Sequence, residues 1–544
     1  MNRSEESHLG PDGSLFLNLV RQARARPDAR ATAYYGANLT YAQLYEQVGR
    51  LAGALQALAV EAGDRISIQM QNSPQYIVAY YAVLALRCVV VPLNPMYRAD
   101  EVATIMGDAG AKVALVAEDL LDRYDDWVGS EALRLIVVRY ADMLPEAPVV
   151  DLPELLLREP VDFLDDTRTL PWAEALCAPV PSQFPGFAAR SDDPAVMPYT
   201  SGSTGVPKGC LHTHVSVMHT AALQAEWYSM TAESVLTAVQ PLFHVAGMQG
   251  SMNAGIYAGA TMVILTRWDA DAAIELFKYY GVTFWNAPPT MVVDMLTRGE
   301  AVTPALALVT CITGGGAAMP GPVADRLKRQ YGLEYIEAYG LSETMSPTHL
   351  NPVDALETGT IGIPAQKTLA MIVDPDTLEP LPNGEVGEIA VSGPQVMIGY
   401  WNRPDADAEA FFQCDGHRFF RTGDLGLCRP DGYYSIVDRL KRMINASGFK
   451  VWPTEVENVI YGHNAVEKCC VIASPDRYRG ETVKALVLVR KDATLEAADL
   501  IEWMRPQLAA FKLPRKVEFV ESLPMTASHK VDWRSLQERE ASSV

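Results

Sequence analysis

The segment Tyr199-Thr-Ser-Gly-Ser-Thr-Gly-Val-Pro-Lys-Gly209 carries the strongest chemical signal in the chain. Small and hydroxylated residues run from Thr200 to Gly205, and a single lysine, Lys208, follows. Backbone N–H groups and hydroxyls in such a run can donate to phosphate oxygens, and glycine lets the backbone approach them closely. Lys208 adds a mobile positive charge. The chemistry implied is the wrapping of a polyphosphate. The pattern differs from the G-x-x-x-x-G-K-[ST] loop of nucleotide hydrolases, because Gly209 follows Lys208. A flexible Gly/Ser linker has a similar composition. The run directly follows an apolar, strand-like stretch, Ala195–Met197, and that position weakens the linker reading.

The elements around this segment have to hold it in place. Helical periodicity covers 14–60 around a short turn at Thr40–Tyr41, where Thr40 and Gln43 form a plausible capping pair. Strand-like and helix-like runs then alternate: Arg65–Met70, Gln75–Leu86, Val89–Pro92, Arg98–Gly107 and Val113–Val116. This rhythm predicts a doubly wound α/β fold. Residues 141–194 are proline-rich with little periodicity and read as a long surface excursion. Further strands are expected at Thr261–Leu265, Val282–Asn286, Leu308–Thr313 and Glu334–Ala338. After Gly359, short strands and turns such as Asp374-Pro-Asp and Pro382-Asn-Gly suit a small β subdomain.

The chain has 544 residues, 49% hydrophobic and 20% charged, which excludes a wholly disordered or fibrous protein. The net charge is −21, which argues against nonspecific binding to nucleic acid or anionic lipid. Residues 441–544 carry 16 Lys+Arg against 14 Asp+Glu, a net of +2, so the remainder holds −23. A near-neutral tail on an acidic body suits contact with a polyanion, or is chance variation in surface charge. The eight cysteines form no CxxC pair and read as reduced thiols of a cytoplasmic protein. The apolar stretch Tyr76–Leu93 is broken by Arg87 and Pro92, and reads as a buried helix running into a strand rather than a membrane span.

With these residues in view, the Thr200–Gly209 segment resembles the phosphate loop of the adenylate-forming (AMP-binding) enzymes. That family includes acyl-CoA synthetases, luciferases and peptide-synthetase adenylation domains. The resemblance recurs in order over roughly residues 14–540 and is strongest to fatty-acid–CoA ligases. It implies that Thr200, Ser201, Gly202, Ser203, Thr204, Gly205 and Lys208 hold ATP phosphates. Pro241-Leu-Phe-His-Val-Ala-Gly-Met248 is similar to the acyl-pocket segment, which implies carboxylate or thioester access at His244. The small residues from Gly247 onward, among them Gly250, Ser251, Ala254 and Gly255, either leave room for a ligand tail or mark close helix packing. Thr313-Gly-Gly-Gly-Ala-Ala-Met-Pro320 looks like the adenine-binding stretch, with Gly315, Gly316 and Ala317, and equally like a tight strand-to-helix turn.

Tyr339-Gly-Leu-Ser-Glu-Thr344, with Glu337 and Ala338 before it, resembles the family's YGxTE motif. Tyr339 would stack on adenine, Ser342 bond the α-phosphate and Glu343 hold Mg²⁺; Gly340 and Met345 would border the acyl group. Arg421-Thr-Gly-Asp-Leu425 resembles the ribose motif. An ionised carboxylate at Asp424 suits two diol donors. Val437-Asp-Arg-Leu-Lys-Arg-Met-Ile444 is similar to the hinge, with Arg439 on the ribose or phosphate and Lys441 the pivot. Ser447, Gly448, Phe449 and Lys450 fall in the loop that meets coenzyme A. Leu523-Pro-Met-Thr-Ala-Ser-His-Lys530 looks like PxTxxGK, with Lys530 at the attacked phosphate; His529 replaces the usual glycine, and Trp533 stands where a basic residue is common.

The resemblance implies a large α/β body over 1–437, with its β subdomain about 359–437, and a mobile α+β lid over 438–544. It implies an ATP-dependent acyl-CoA synthetase with ATP, Mg²⁺ and coenzyme A as cofactor and co-substrates. Catalysis would fall to Lys530, Thr204 and His244. Apolar residues near these motifs (Phe243, Met248, Trp285, Met291, Met345) point to a medium- or long-chain fatty acid, with an aryl acid or a carrier-protein acceptor as alternatives. Nucleic-acid partners and a transmembrane segment are not expected, and homodimerisation is left open.

Overall fold

The computed structural model describes residues 13–127, 133–161, 168–201, 207–316, 319–439, 442–446, 449–476, 480–490, 493–525 and 531–542; at Ser201, Arg439, Asn445, Phe449, Lys450 and Gly480 it describes the backbone. Thr204, with Gly202, Ser203 and Gly205, therefore lies outside the described residues, as do Ala317, Lys441, Ser447, Gly448 and Lys530. The fold is mixed α/β. Two compact units divide it: Met1–Thr368 with Ser392–Phe411, and Leu369–Val391 with Phe412–Val544.

The first unit is built on two nine-stranded sheets. In one, Arg65–Gln69, Val89–Pro92, Val113–Ala117 and Arg134–Val138 run parallel. Their inner strands are buried along their length, as parallel strands covered on both faces must be. The helix Pro74–Ala85 is buried at every position and feeds Val89–Pro92, so the apolar stretch is a helix running into a strand. In the other sheet, Val235–Ala238, Thr261–Ile264, Phe284–Asn286, Cys311–Gly315 and Tyr335–Tyr339 run parallel.

Two expectations need correction. Residues 14–60 are not helical around a short turn. A hairpin, Arg30–Tyr34 with Ala37–Thr40, separates Phe16–Ala25 from Tyr41–Ala57, and its first strand adds in parallel to Thr261–Ile264. The helix start is as read: Thr40 Oγ1 accepts from the Gln43 N–H at 3.2 Å, and Gln43 Oε1 accepts from the Thr40 N–H at 2.8 Å. Residues 141–194 are not simply a surface excursion either. Thr169–Pro171 joins the sheet beside Arg134–Val138, and Trp172 and Phe184 are buried in the core.

The second unit contains two smaller sheets of five strands each. Leu369–Val373, Gly387–Ser392, Phe411–Cys414, His417–Cys428 and Tyr434–Arg439 form the first. The second joins Ile444–Ala446, Phe449–Val451, Val466–Asp476, Gly480–Val489 and Lys516–Phe519, with helices Pro453–Tyr461, Ala497–Met504 and Trp533–Ser542 around it. Its apolar core includes Ile444, Val456, Val471, Val483, Val487 and Leu500.

Candidate active site

Tyr199–Ser201 and Pro207–Thr213 pair as an antiparallel hairpin, with Thr200 opposite Lys208 and Tyr199 opposite Gly209. In the sequence the two strands flank the hydroxyl-rich run Gly202–Gly205. Side chains alternate along a strand, so Lys208, Cys210 and His212 share one face. That face meets the turn Ser342–Thr344, which follows the strand Tyr335–Tyr339.

Three contacts join hairpin and turn. His212 Nε2 donates to the Ser342 carbonyl at 2.7 Å. Burial pushes the His212 imidazole down to about 4, so it sits neutral there. The Tyr400 hydroxyl donates to Glu343 Oε1 at 3.1 Å, and the Lys208 ammonium lies 5.2 Å from the centre of the Tyr400 ring. Tyr400 itself pairs opposite Cys210. Burial first, and the Glu343 charge second, hold the Tyr400 phenol protonated and therefore a donor. One cation and one carboxylate, read separately in the sequence, thus meet around a single tyrosine.

The rest of the turn is fixed by packing. Met345 is fully buried in a left-handed conformation at φ 47°. Gly340 has no room for a side chain: a Cβ would lie 2.8 Å from Ser346 Cα and 2.9 Å from Pro347 Cα. Tyr339 is buried with its ring 5.8 Å from that of His349. Glu337 accepts from the Met319 N–H at 2.7 Å, and burial raises its carboxyl to about 7.

Gly315 pairs with Ala338 and Gly314 with Glu337. A Cβ on Gly315 would meet the Ala338 carbonyl at 2.1 Å, and Gly316 takes φ 84°. The glycines here are required by close strand packing and by a turn, whatever else lies against them. His244 caps a short helical turn, its Nδ1 accepting from the Ala246 N–H at 3.3 Å, and Met248–Asn253 continues as a π-helix. The small residues after it are occupied by protein: a Cβ on Gly247 would lie 2.4 Å from the Pro241 carbonyl, and one on Gly250 would lie 2.2 Å from Asn286 Nδ2. Of the two readings of that run, close packing holds for these two glycines. Met248 is fully buried.

In the second unit, Asp424 is buried on His417–Cys428, in register with Arg439. Arg421 grips Glu388 at 2.6 Å, and Glu388 also accepts from the Gly423 N–H at 2.9 Å, which fixes the bend before Asp424. Phe449 and Lys450 lie on a strand paired with Ala446 and Asn445. His212 and Tyr400 escaped the sequence reading. Their partners lie 130 and 57 positions away, a separation that leaves no local periodic signal.

Comparison with known proteins gives a consistent picture. A family model described as AMP-binding enzyme matches residues 19–401, and one described as AMP-binding enzyme C-terminal domain matches 455–530. A protein of Bacillus subtilis named long-chain-fatty-acid–CoA ligase is 33% identical over 97% of this chain and 95% of its own. An Amycolatopsis protein named feruloyl-CoA synthase is 32% identical over 94% and 96%. The structure of ATP-bound MatB from Rhodopseudomonas palustris superposes with a TM-score of 0.84 at 26% identity, covering 97% of this chain and 99% of that one.

Proposed function

The chain belongs to the AMP-binding enzyme family and is an AMP-forming acyl-CoA synthetase, and from that premise we propose that its acid is a medium- or long-chain fatty acid. The observation that carries this choice is the 33% identity to a long-chain-fatty-acid–CoA ligase over nearly both chains. The feruloyl-CoA synthase relative, at 32%, keeps an aryl acid as the second reading.

The mechanism has two steps. A carboxylate oxygen attacks the α-phosphorus of ATP; the α–β phosphoanhydride breaks and pyrophosphate leaves. The thiolate of coenzyme A then attacks the acyl carbonyl, and AMP leaves with the carboxylate oxygen. Lys208 and the loop before it would hold the phosphates, and Lys530 and Thr204 would stabilise charge on the attacked phosphate. Tyr339 and Gly315–Ala317 would border adenine, with Ser342 on the α-phosphate. Asp424 and Arg439 would take the ribose. His244, Gly340 and Met345 would border the acyl carboxylate. Residues 447–450 would meet coenzyme A.

The donor set fits Mg²⁺: Glu343 supplies a carboxylate beside the phosphate hairpin, and Mg²⁺ takes one or two carboxylates with phosphate oxygens and waters. Glu343 would hold the ion, which neutralises phosphate charge when bound. Tyr400 would orient that carboxylate. We place the functional boundary at 437/438 and the pivot at Lys441, so that one site serves both half-reactions.

The test is kcat/KM with free coenzyme A over saturated acids of 6 to 18 carbons and over hydroxycinnamic acids, about a dozen substrates in all. A rise to a plateau from about 10 carbons upward supports the fatty-acid reading. A maximum on the hydroxycinnamates replaces it with the aryl-acid reading.

A further inference from the structure

Asp108 stands one residue before the end of the helix Ala99–Ala109. A carboxylate at a helix C-terminus opposes the macrodipole, so helix stability does not explain it there. Its side chain is only 13% exposed. Each of its oxygens has a partner far away in sequence. Oδ2 accepts from the Tyr199 hydroxyl at 2.7 Å, and Oδ1 accepts from Arg403 at 2.6 Å. Its main-chain carbonyl accepts from Trp401 Nε1 at 3.1 Å.

These contacts close a ring around the base of the phosphate hairpin. Tyr199 opens the first hairpin strand and pairs opposite Gly209 on the second. The Trp401 N–H donates to the Gly209 carbonyl at 2.8 Å. Trp401 and Arg403 return to Asp108. Arg65 reinforces the junction from behind: its Nε donates to the Ala109 carbonyl at 2.7 Å and its guanidinium lies over the Trp401 ring. There is no slack on the inner side, because a Cβ on Gly209 would lie 3.0 Å from the Tyr199 ring.

We propose that Asp108 is a positioning residue for adenylation, setting both strands of the hairpin in one register so that Thr200 and Lys208 meet the ATP phosphates. The inference rests on reading this hairpin as the ATP phosphate site. Both carboxylate oxygens of Asp108 are held by protein partners. It acts through Tyr199 on one strand and through Arg403 and Trp401 on the other.

The experiment compares Tyr199→Phe, Asp108→Asn and Asp108→Ala in the full chain. Equilibrium ATP binding is measured by calorimetry. The KM values for ATP, acid and coenzyme A are measured, with the rate of thioester formation from supplied acyl-AMP and the melting temperature. Tyr199→Phe, which removes one hydroxyl, weakens ATP binding about tenfold. Asp108→Ala, which strips the charge partner from Arg403, weakens it about a hundredfold. Asp108→Asn, which keeps one acceptor oxygen but also removes the charge, falls between Tyr199→Phe and Asp108→Ala. KM for acid and coenzyme A and the second half-reaction stay near wild type. Equal loss toward all substrates, or a lowered melting temperature with ATP binding intact, overturns the proposal and leaves Asp108 a packing residue. Failure of the wild type itself to bind ATP overturns the underlying reading of the hairpin and this proposal with it. Should Asp108→Ala not fold, Tyr199→Phe decides alone.

Discussion

Glu343 and Gln differ in charge and hardly in shape, so a single substitution isolates the role of the carboxylate. Glutamine can still accept from the Tyr400 hydroxyl that now donates to Glu343. Glu343→Gln is expected to raise the Mg²⁺ concentration needed for half-maximal rate and to lower turnover, because a hard cation needs the charge. A Mg²⁺ titration of steady-state turnover checks it; an unchanged titration removes Glu343 from the metal. Lys530 offers the complementary case. If Lys530 supplies the cation at the attacked phosphate, Lys530→Ala should cut adenylation by about 10²–10³ while sparing thioester formation from supplied acyl-AMP. Equal loss in both half-reactions would make the lysine structural. The sequence singles out Lys208 and Glu343 because each sits inside a dense local motif, and the structure brings both side chains to one tyrosine. The sequence was silent on Tyr400, which joins them, and on His212. Each of these acts on a partner brought near only by the sheet, and a lone aromatic or histidine in an apolar run looks like core.

The elements that matter most are the turns between strands and helices. Gly340 separates the strand Tyr335–Tyr339 from the turn that carries Ser342 and Glu343. A methyl group there must displace the backbone at Ser346 or Pro347. Gly340→Ala should therefore lower stability by about 1–3 kcal/mol and reduce ATP turnover more than the stability loss accounts for. Urea unfolding and ATP kinetics on the same preparation check this; wild-type kinetics would show that the turn adapts. The strands of the parallel sheets were legible because burial on both faces makes them continuous apolar runs. Val89–Pro92 and Val113–Ala117 are examples, both buried along their length. The hairpin at Arg30–Thr40 was not. Its second strand is half exposed and short, and its pattern merges with the helical periodicity on either side. Thr169–Pro171 was hidden by the prolines around it, yet an edge strand tolerates them.

For the molecule as a whole, buried histidines set a limit in acid. Burial pushes His214 and His219 down to about 4 and His349 to about 3, against an ordinary value near 6.5. His214 is partly compensated by Asp193, while Lys367 adds to the depression of His219. Between pH 6.5 and 4 these histidines take up protons in the unfolded chain and refuse them in the folded one, so their contribution to stability falls as pH falls; Glu337, raised to about 7, contributes once in the opposite sense, and the histidines outnumber it. Each histidine contributes up to about 1.4 kcal/mol per pH unit. Urea unfolding from about pH 7 to about pH 4.5 should show this slope, and His219→Gln should flatten it; an identical slope would mean that His219 titrates normally. The two half-reactions supply a second whole-molecule test. Proline at 441 fixes φ near about −65° and removes a donor. Lys441→Pro should leave acyl-AMP formation intact and depress thioester formation by orders of magnitude. Parallel loss of both rates would mean damage to the fold, and no change would put the pivot elsewhere.

If the acid is activated as an adenylate, one of its carboxylate oxygens must leave with AMP. A saturated fatty acid labelled with ¹⁸O in both carboxylate oxygens is turned over with ATP and coenzyme A, and the products are weighed by mass spectrometry. Attack of the carboxylate on the α-phosphorus, followed by thiol attack at the carbonyl, leaves one labelled oxygen in AMP and one in the thioester, with none in pyrophosphate. Label in inorganic phosphate with release of ADP, or unlabelled AMP, would contradict the account.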